Sequence, residues 1–279
     1  MKRAMIVALA LALLSAACGD AKDPLVGIRA STDPAVGDGR LVFAVSELDG
    51  TRRGSPDEIV TVMASPLDEP DRSVEAVAEF TWIVQDVTGL YIAQVPFDTA
   101  GLWQIDFGIS TGEETDSFLI DIQAEPLGIA VGEKAPVVAT PTLDDMTLPE
   151  LTTDPNPRLA MYRLSLDEAL TNGRMTVVVF ATPAFCTSAT CGPLLDQVKG
   201  MADLAPDVDF IHLEVYQGFD DPTFSPSGEF LTPAVVAFGL VTEPWVFVMD
   251  ESGVVVSRLD GILGAGELER ILGVEAVGG

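Results

Sequence analysis

Two cysteines in the second half of the chain are the residues best suited to chemistry. Cys186 and Cys191 are separated by four residues in the stretch Phe185-Cys-Thr-Ser-Ala-Thr-Cys-Gly-Pro193. A thiolate is a nucleophile, a leaving group and a soft metal ligand, and two thiols interconvert with a disulfide. The pair therefore indicates either thiol–disulfide exchange or a fixed structural disulfide, and the spacing leaves both open.

The stretches on either side of the cysteines predict the elements that position them. The apolar run Val177 to Phe180 predicts a strand buried on both faces. After the cysteines, one apolar stripe at helical spacing predicts a helix that Pro206 ends; its members are Leu194, Val198, Met201 and Ala205.

The predicted helix restricts how the two cysteines can meet. Positions five apart in a helix lie about 140° apart around its axis. A disulfide therefore requires either that Cys186 lies before the helix or that the first helical turn is irregular, and Gly192-Pro193 can restart the helix with Cys191 at its N-terminus. Unpaired N–H groups and the positive end of the helix dipole favour the thiolate there.

The first residues have the pattern of an export signal. Met1-Lys-Arg3 precedes an apolar run, Ala4 to Ala17, that is too short to cross a bilayer. Ser15-Ala-Ala-Cys18 resembles the bacterial lipobox, in which the cysteine is lipidated after cleavage. We expect a signal peptide over residues 1–17, a lipidated tether over 18–23, and an extracytoplasmic protein of the cell envelope held to a membrane by the lipid on Cys18. An ordinary secreted protein with a free cysteine is the alternative.

Composition limits the partners. The chain has a net charge of −28 and a sequence pI near 4.1. No basic stripe is present to meet phosphates, so nucleic acid is not an expected partner. We predict no cofactor and no bound metal. In an exported chain the surroundings favour a disulfide between Cys186 and Cys191.

Residues 24–125 predict an all-β domain. Six or seven short apolar stretches are separated by turns rich in Gly, Pro and Asp, which is typical of a sandwich. The stretch Gly89-Leu-Tyr91 through Ala100-Gly-Leu-Trp103 resembles the last hairpin of immunoglobulin-like domains in bacterial envelope proteins. The resemblance implies an immunoglobulin-like β-sandwich with Tyr91 and Trp103 in its core.

The rest of the chain divides into two segments with different sequence patterns. Residues 126–158 are rich in proline and predict a connector without a helix or central strand. From residue 159 to 279 the patterns predict the order helix, strand, helix, strand, helix, hairpin, helix. The first of these helices has a capping box, Ser165 to Glu168.

Three separated segments resemble the thioredoxin fold in its TlpA-like, redoxin-type envelope branch. They are Val131–Pro136, Val177–Cys186 and Glu243–Gly253. The resemblance implies an α/β thioredoxin-like domain over residues 159–279, with a leading segment from about residue 130. It further implies that Cys186 attacks, that Cys191 resolves, and that Pro244 is cis and shapes the contact surface beside the sulfur. The chain departs from the family because four residues, and not two, separate its cysteines.

These observations favour thiol–disulfide exchange with extracytoplasmic protein thiols or disulfides. The alternative is a redox-silent binding or scaffold module whose Cys186–Cys191 disulfide is structural. A peroxidase is less favoured, because Pro183 lies three residues before Cys186 where the peroxiredoxin pattern has seven. A Cu(I) chaperone is also less favoured, because the one histidine, His212, lies within a predicted strand, where a satisfied or half-exposed role is expected.

Overall fold

Residues 25–37, 39–109 and 114–274 are described in this computed structural model of the chain. The predicted signal peptide, the tether and the lipidation site Cys18 lie outside the described residues. Within the described ranges, the helices are all too short or too polar to span a membrane.

Eight strands form the first sheet. Their bounds are β1 Leu25–Arg29, β2 Arg40–Glu47, β3 Arg52–Arg53, β4 Val60–Pro66, β5 Val74–Val84, β6 Thr88–Gln94, β7 Gly101–Ile109 and β8 Glu114–Ile122. The order is β1-β2-β6-β5-β4-β7-β8, with β3 paired to β2, and all pairs of neighbouring strands in it are antiparallel. The all-β character predicted for this region is confirmed, and β1 and β3 are strands that the sequence patterns did not predict.

The first sheet is rolled, so that its two outer strands meet. The backbone N–H of Gly27 in β1 donates to Oδ2 of Asp116 in β8, at 3.2 Å. A Cβ at Gly27 would lie 2.5 Å from the Phe118 ring, so only glycine fits this approach. Tyr91 and Trp103 are buried in the enclosed core, as predicted. A rolled single sheet replaces the two separate sheets of an immunoglobulin-like sandwich.

The second half of the chain holds short helices and four strands. The helices are α1 Leu148–Leu151, α2 Leu166–Ala169, α3 Cys191–Leu204, α4 Pro233–Ala237 and α5 Glu267–Leu272, and the strands are β9 Thr176–Phe180, β10 Asp209–Leu213, β11 Trp245–Met249 and β12 Val255–Asp260. Single 3-10 turns lie at Leu159–Tyr162 and Gly228–Phe230. The element order predicted from residue 159 onward is confirmed, whereas α1 lies in the segment that was predicted to have no helix.

The second sheet has the order β10-β9-β11-β12. Strands β9 and β10 are parallel, and the other two pairs are antiparallel. Alternation along β9 divides its side chains between two clusters: Val177 and Val179 pack with α3, while Val178 and Phe180 pack on the opposite face. Both faces are covered, which explains the uninterrupted apolar run.

The predicted fold class, an α/β thioredoxin-like domain after an immunoglobulin-like sandwich, is wrong. Strand makes up 34% of the structure and helix only 16%, with a large rolled sheet and a small second sheet. The capping patterns do begin helices, but four of the five helices have six residues or fewer. Such short helices cannot form the helical layers of an α/β fold. Part of one face of the second sheet is instead covered by side chains of the first sheet, namely Val42, Leu90 and Ile92.

Buried ion pairs connect the two sheets. Arg40 of β2 contacts Asp260 through Nη1 at 2.9 Å and Glu267 through Nε at 2.7 Å. Arg258 of β12 contacts Asp33 at 2.6 Å. All of these side chains are at most one tenth exposed, so each charge is stabilised by its partner and not by water.

Candidate functional site

Cys186 and Cys191 form a disulfide at the end of the loop that follows β9. Their Cα atoms lie 6.1 Å apart, within the usual range for a disulfide. Cys186 lies before α3 and Cys191 is the first residue of that helix, which is one of the two arrangements that the spacing allows for a disulfide. Ala189, with φ of 60°, turns the chain through the left-handed region between them, and this turn accommodates the extra residues of the loop.

The two sulfurs have different surroundings. Cys186 is half-buried, whereas Cys191 is fully buried in the core cluster under α3. The backbone N–H of Cys191 donates to Sγ of Cys186 at 3.4 Å, and the Ser188 hydroxyl lies 3.3 Å from the same sulfur. An N–H group at a helix N-terminus stabilises negative charge on the accepting atom. Cys186 is therefore the more accessible sulfur and the one better stabilised as a thiolate.

Glu243 lies beside the buried sulfur. Its Oε2 lies 3.5 Å from Sγ of Cys191 and accepts a hydrogen bond from the backbone N–H of Thr182 at 2.9 Å. Burial raises the pKa of the Glu243 carboxyl, although the Thr182 N–H opposes the rise. A carboxyl group whose pKa is raised can exchange a proton with a neighbouring thiol more readily than an ordinary carboxyl group can.

Pro244 follows Glu243 directly, and the peptide bond between them is cis. The resemblance implied this conformation for Pro244. The residue leads into β11, the strand that pairs with β9. Cys186, Cys191 and the Glu243-Pro244 pair are thus positioned by two neighbouring strands and one helix.

Three donor atoms at this site could hold a soft metal ion once the disulfide is reduced. The sulfurs of Cys186 and Cys191 and a carboxylate oxygen of Glu243 lie within 4.8 Å of one another. Two thiolates and one carboxylate suit a thiophilic ion such as Zn²⁺ or Cu(I). Among the described residues, His212 is not part of this group.

His212 lies on β10 and is fully satisfied by neutral partners. Its Nε2 is 2.9 Å from the carbonyl oxygen of Ala181, and its Nδ1 is 2.6 Å from the Tyr162 hydroxyl. The carbonyl can only accept, so Nε2 carries the proton and Nδ1 accepts from Tyr162. Burial lowers the pKa of His212 to about 4, so the ring is neutral at pH 7. The predicted satisfied strand role is confirmed, with the side chain more deeply buried than a half-exposed position.

Glu214 lies two residues after His212, on the same face, and its carboxyl group is also buried. Its Oε1 accepts hydrogen bonds from the Thr152 hydroxyl at 3.1 Å and the Thr153 hydroxyl at 2.9 Å, as well as from the Thr153 N–H. Its Oε2 is buried and has no hydrogen-bond partner of normal geometry among the described residues, although the Thr182 hydroxyl also acts on this carboxyl group and lowers its pKa. Burial raises the pKa of Glu214 to about 7, although the hydrogen bonds from Thr153 oppose the rise.

Glu243 and Glu214 are functional candidates that the sequence patterns did not identify. Glu243 directly precedes Pro244, a predicted site residue, and this position in the sequence was the one indication that Glu243 lies near the site. Glu214 is two residues after His212 in a predicted strand, so alternation already placed the two side chains on one face. Neither pattern predicts burial of a carboxyl group.

Comparison with known proteins leaves the family of the chain undetermined. No protein-family model matches the sequence, and a search of curated proteins gives no match either.

Replacing Glu214 by Gln tests the burial of this carboxyl group. The pKa of Glu214 is raised in the folded state, so its contribution to stability is full below pH 4.5 and is lost as the pH rises through 7. We expect Glu214→Gln to stabilise the protein relative to wild type at pH 8 by on the order of 2 kcal/mol, and much less at pH 4.5. Urea unfolding at both pH values measures the difference.

An exposed acid provides the control. Glu75 lies exposed on β5, and Glu75→Gln removes the same charge without a buried carboxyl group. If the free energies of unfolding of wild type and Glu214→Gln differ by the same amount at both pH values, the pKa of Glu214 is not raised in the folded state.

Proposed function

We propose that the protein carries out thiol–disulfide exchange through Cys186 and Cys191, acting on thiols or disulfides of extracytoplasmic proteins. The observation that carries the proposal is the asymmetry of the pair. Cys186 is half-exposed and accepts an N–H from the start of α3, while Cys191 is buried beside the Glu243 carboxyl. A nucleophile needs access and a stabilised thiolate, and a resolving thiol needs a proton acceptor.

In the direction of substrate reduction, the Cys186 thiolate attacks one sulfur of a partner disulfide. A bond forms between Cys186 and that sulfur, the partner S–S bond breaks, and the other partner sulfur leaves as a thiolate. Cys191 then loses its proton to Glu243 and attacks Cys186. This second step forms the Cys186–Cys191 disulfide, releases the other partner thiolate, and leaves two electrons on the partner.

Glu243 suits the proton transfer because its environment is partly desolvated. Burial raises its pKa toward that of the thiol, which reduces the free-energy difference between the two positions of the proton. In the reverse direction the protonated Glu243 returns the proton to Cys191 as its sulfur leaves. The same residue therefore serves both directions of electron flow.

A structural disulfide within a redox-silent scaffold is the second candidate. Complete burial of the Cys191 sulfur favours it, because an inert brace needs no access for a partner. The two candidates differ in reduction potential: a value well below about −300 mV marks a disulfide that cellular thiols do not reduce.

Serine variants of the two cysteines test the roles proposed for the two sulfurs. We expect Cys191→Ser, treated with glutathione disulfide, to accumulate a mixed disulfide on Cys186, because the resolving thiol is absent. Cys186→Ser should accumulate far less, because the remaining thiol is buried. Intact-protein mass spectrometry in a Cys18→Ser background reads out both.

Each serine variant is the control for the other, since both lack the Cys186–Cys191 disulfide and differ only in which thiol remains. Equal and slow modification of the two variants would overturn the exchange proposal and leave the structural brace.

Replacing Glu243 by Gln tests the proton acceptor. Gln can still accept from the Thr182 N–H but cannot take a proton from Cys191. We expect Glu243→Gln to slow the step in which Cys191 displaces glutathione from Cys186 by about 100-fold at pH 7. The difference in rate from wild type should become smaller at high pH, because the Cys191 thiol then ionises without a proton acceptor. Stopped-flow measurement of glutathione release follows this step.

Glu251 supplies the matched control for this variant. It lies exposed in the turn between β11 and β12, and Glu251→Gln removes one negative charge from the same half of the chain. A Glu243→Gln protein that resolves as fast as Glu251→Gln would remove Glu243 from the mechanism.

We also propose that the chain is exported and anchored by lipid on Cys18. The support is the sequence Met1-Lys-Arg3, the apolar run after it, and the lipobox-like Ser15-Ala-Ala-Cys18. We expect a bacterial host to incorporate labelled palmitate into the wild-type chain and not into Cys18→Ser. Equal labelling of both proteins, or of neither, would contradict the anchor.

A further inference from the structure

An apolar cavity next to β10 is not used by the proposed chemistry. It encloses about 340 Å³, at the lower end of the range for small-molecule sites. Its apolar wall comes from the proline-rich segment, α1, β10 and α4, and includes Pro141, Met146, Leu151, Leu213 and Ala234. Three aromatic side chains also line it: Tyr162, Tyr216 and Phe219.

All formal charge on the cavity wall is negative. Glu150, Glu214 and Asp220 line the cavity, and no lysine or arginine is among the described lining residues. The one histidine, His212, is neutral because burial lowers its pKa to about 4. The wall therefore disfavours an anionic ligand.

Glu214 gives the cavity a specific polar group. It lines the cavity, is only 4% exposed, and leaves Oε2 without a hydrogen-bond partner among the described residues. A buried carboxyl oxygen without a partner carries a free-energy cost that a ligand N–H can remove. The missing partner is therefore a donor, and the surrounding wall is apolar.

We propose that this cavity binds a small organic cation, an apolar amine whose ammonium group donates to the Glu214 carboxylate. A charge-assisted hydrogen bond of this kind is stronger than a neutral one, and aromatic side chains are favourable neighbours for an ammonium group. A metal ion fits less well, because the described residues bring three metal-ligating side chains together only at Cys186, Cys191 and Glu243. The proposal does not depend on thiol–disulfide exchange.

Other titratable groups near Glu214 do not supply the pairing cation. Tyr162 and His212 are neutral at pH 7, and Lys199 is occupied by Asp154 at 2.8 Å and Asp196 at 2.7 Å. The remaining titratable groups of the wall are acidic or phenolic: Glu150, Tyr216 and Asp220. No cation among residues 25–37, 39–109 and 114–274 pairs with Glu214, so a ligand ammonium group can fill this role.

Three ligands of matched shape test the proposal by calorimetry on the full-length protein: hexylamine, hexanol and hexanoate. In 150 mM salt, which screens the acidic surface, we expect saturable hexylamine binding that is at least about tenfold tighter than hexanol binding, and no hexanoate binding. Hexylamine stays protonated below pH 9, so its affinity should rise between pH 5 and pH 8 as Glu214 ionises.

Two variants locate the effect. Glu214→Gln should reduce hexylamine affinity to that of hexanol and abolish the pH dependence, whereas Glu75→Gln, which removes a distant exposed carboxylate, should change neither. The wild-type pH profile and the three-ligand comparison need no variant, so they decide the matter if Glu214→Gln does not fold. Equal affinity for hexylamine and hexanol, hexanoate preference, absence of saturable binding, or unchanged hexylamine affinity in Glu214→Gln would each overturn the proposal.

Discussion

Burial of the Arg40 guanidinium is the constraint on which the arrangement of the two sheets depends. A guanidinium removed from water must find anionic partners, and Arg40 finds Asp260 and Glu267 on the far side of the sheet junction. Breaking a buried pair costs about 3 to 5 kcal/mol, so a displacement of the sheets is strongly opposed. Because Asp260 ends β12 and β12 pairs with β11, the same contacts hold the strand that begins just after Glu243-Pro244.

Two carboxyl groups beside the two strands that flank β9, one buried and one half-buried, acquire different roles from their surroundings. Glu243 lies beside a sulfur and accepts a hydrogen bond from the Thr182 N–H, so its raised pKa can serve proton transfer with Cys191. Glu214 has its first oxygen held by threonines and its second oxygen without a described partner beside an apolar cavity. Both residues are glutamates, so the residue type does not account for the different roles. The difference comes from which hydrogen-bond donors lie nearest to each carboxyl group.

Local elements were predictable from the sequence, and the fold class was not. The run Val177–Phe180 and the apolar stripe after Pro193 identified β9 and α3, because burial and period are local properties. The capping box at Ser165 identified α2 as a short helix, which the structure confirms over Leu166–Ala169. The cover of the second sheet by side chains of β2 and β6 joins residues more than 80 positions apart, and no local pattern encodes it. Burial of Glu214 and Glu243 was missed for the same reason.

Rolling of the first sheet also determines how another chain can attach to it. An open sheet offers unpaired backbone groups at its outer strands, and another extended chain can join there by continuing the ladder. Here β1 approaches β8 closely enough for Gly27 to reach Asp116. A side chain at position 27 would push the Phe118 ring away and part these strands. The absence of a Cβ at position 27 therefore lets β8 lie against β1, and it reduces the room for a further strand at these two edges.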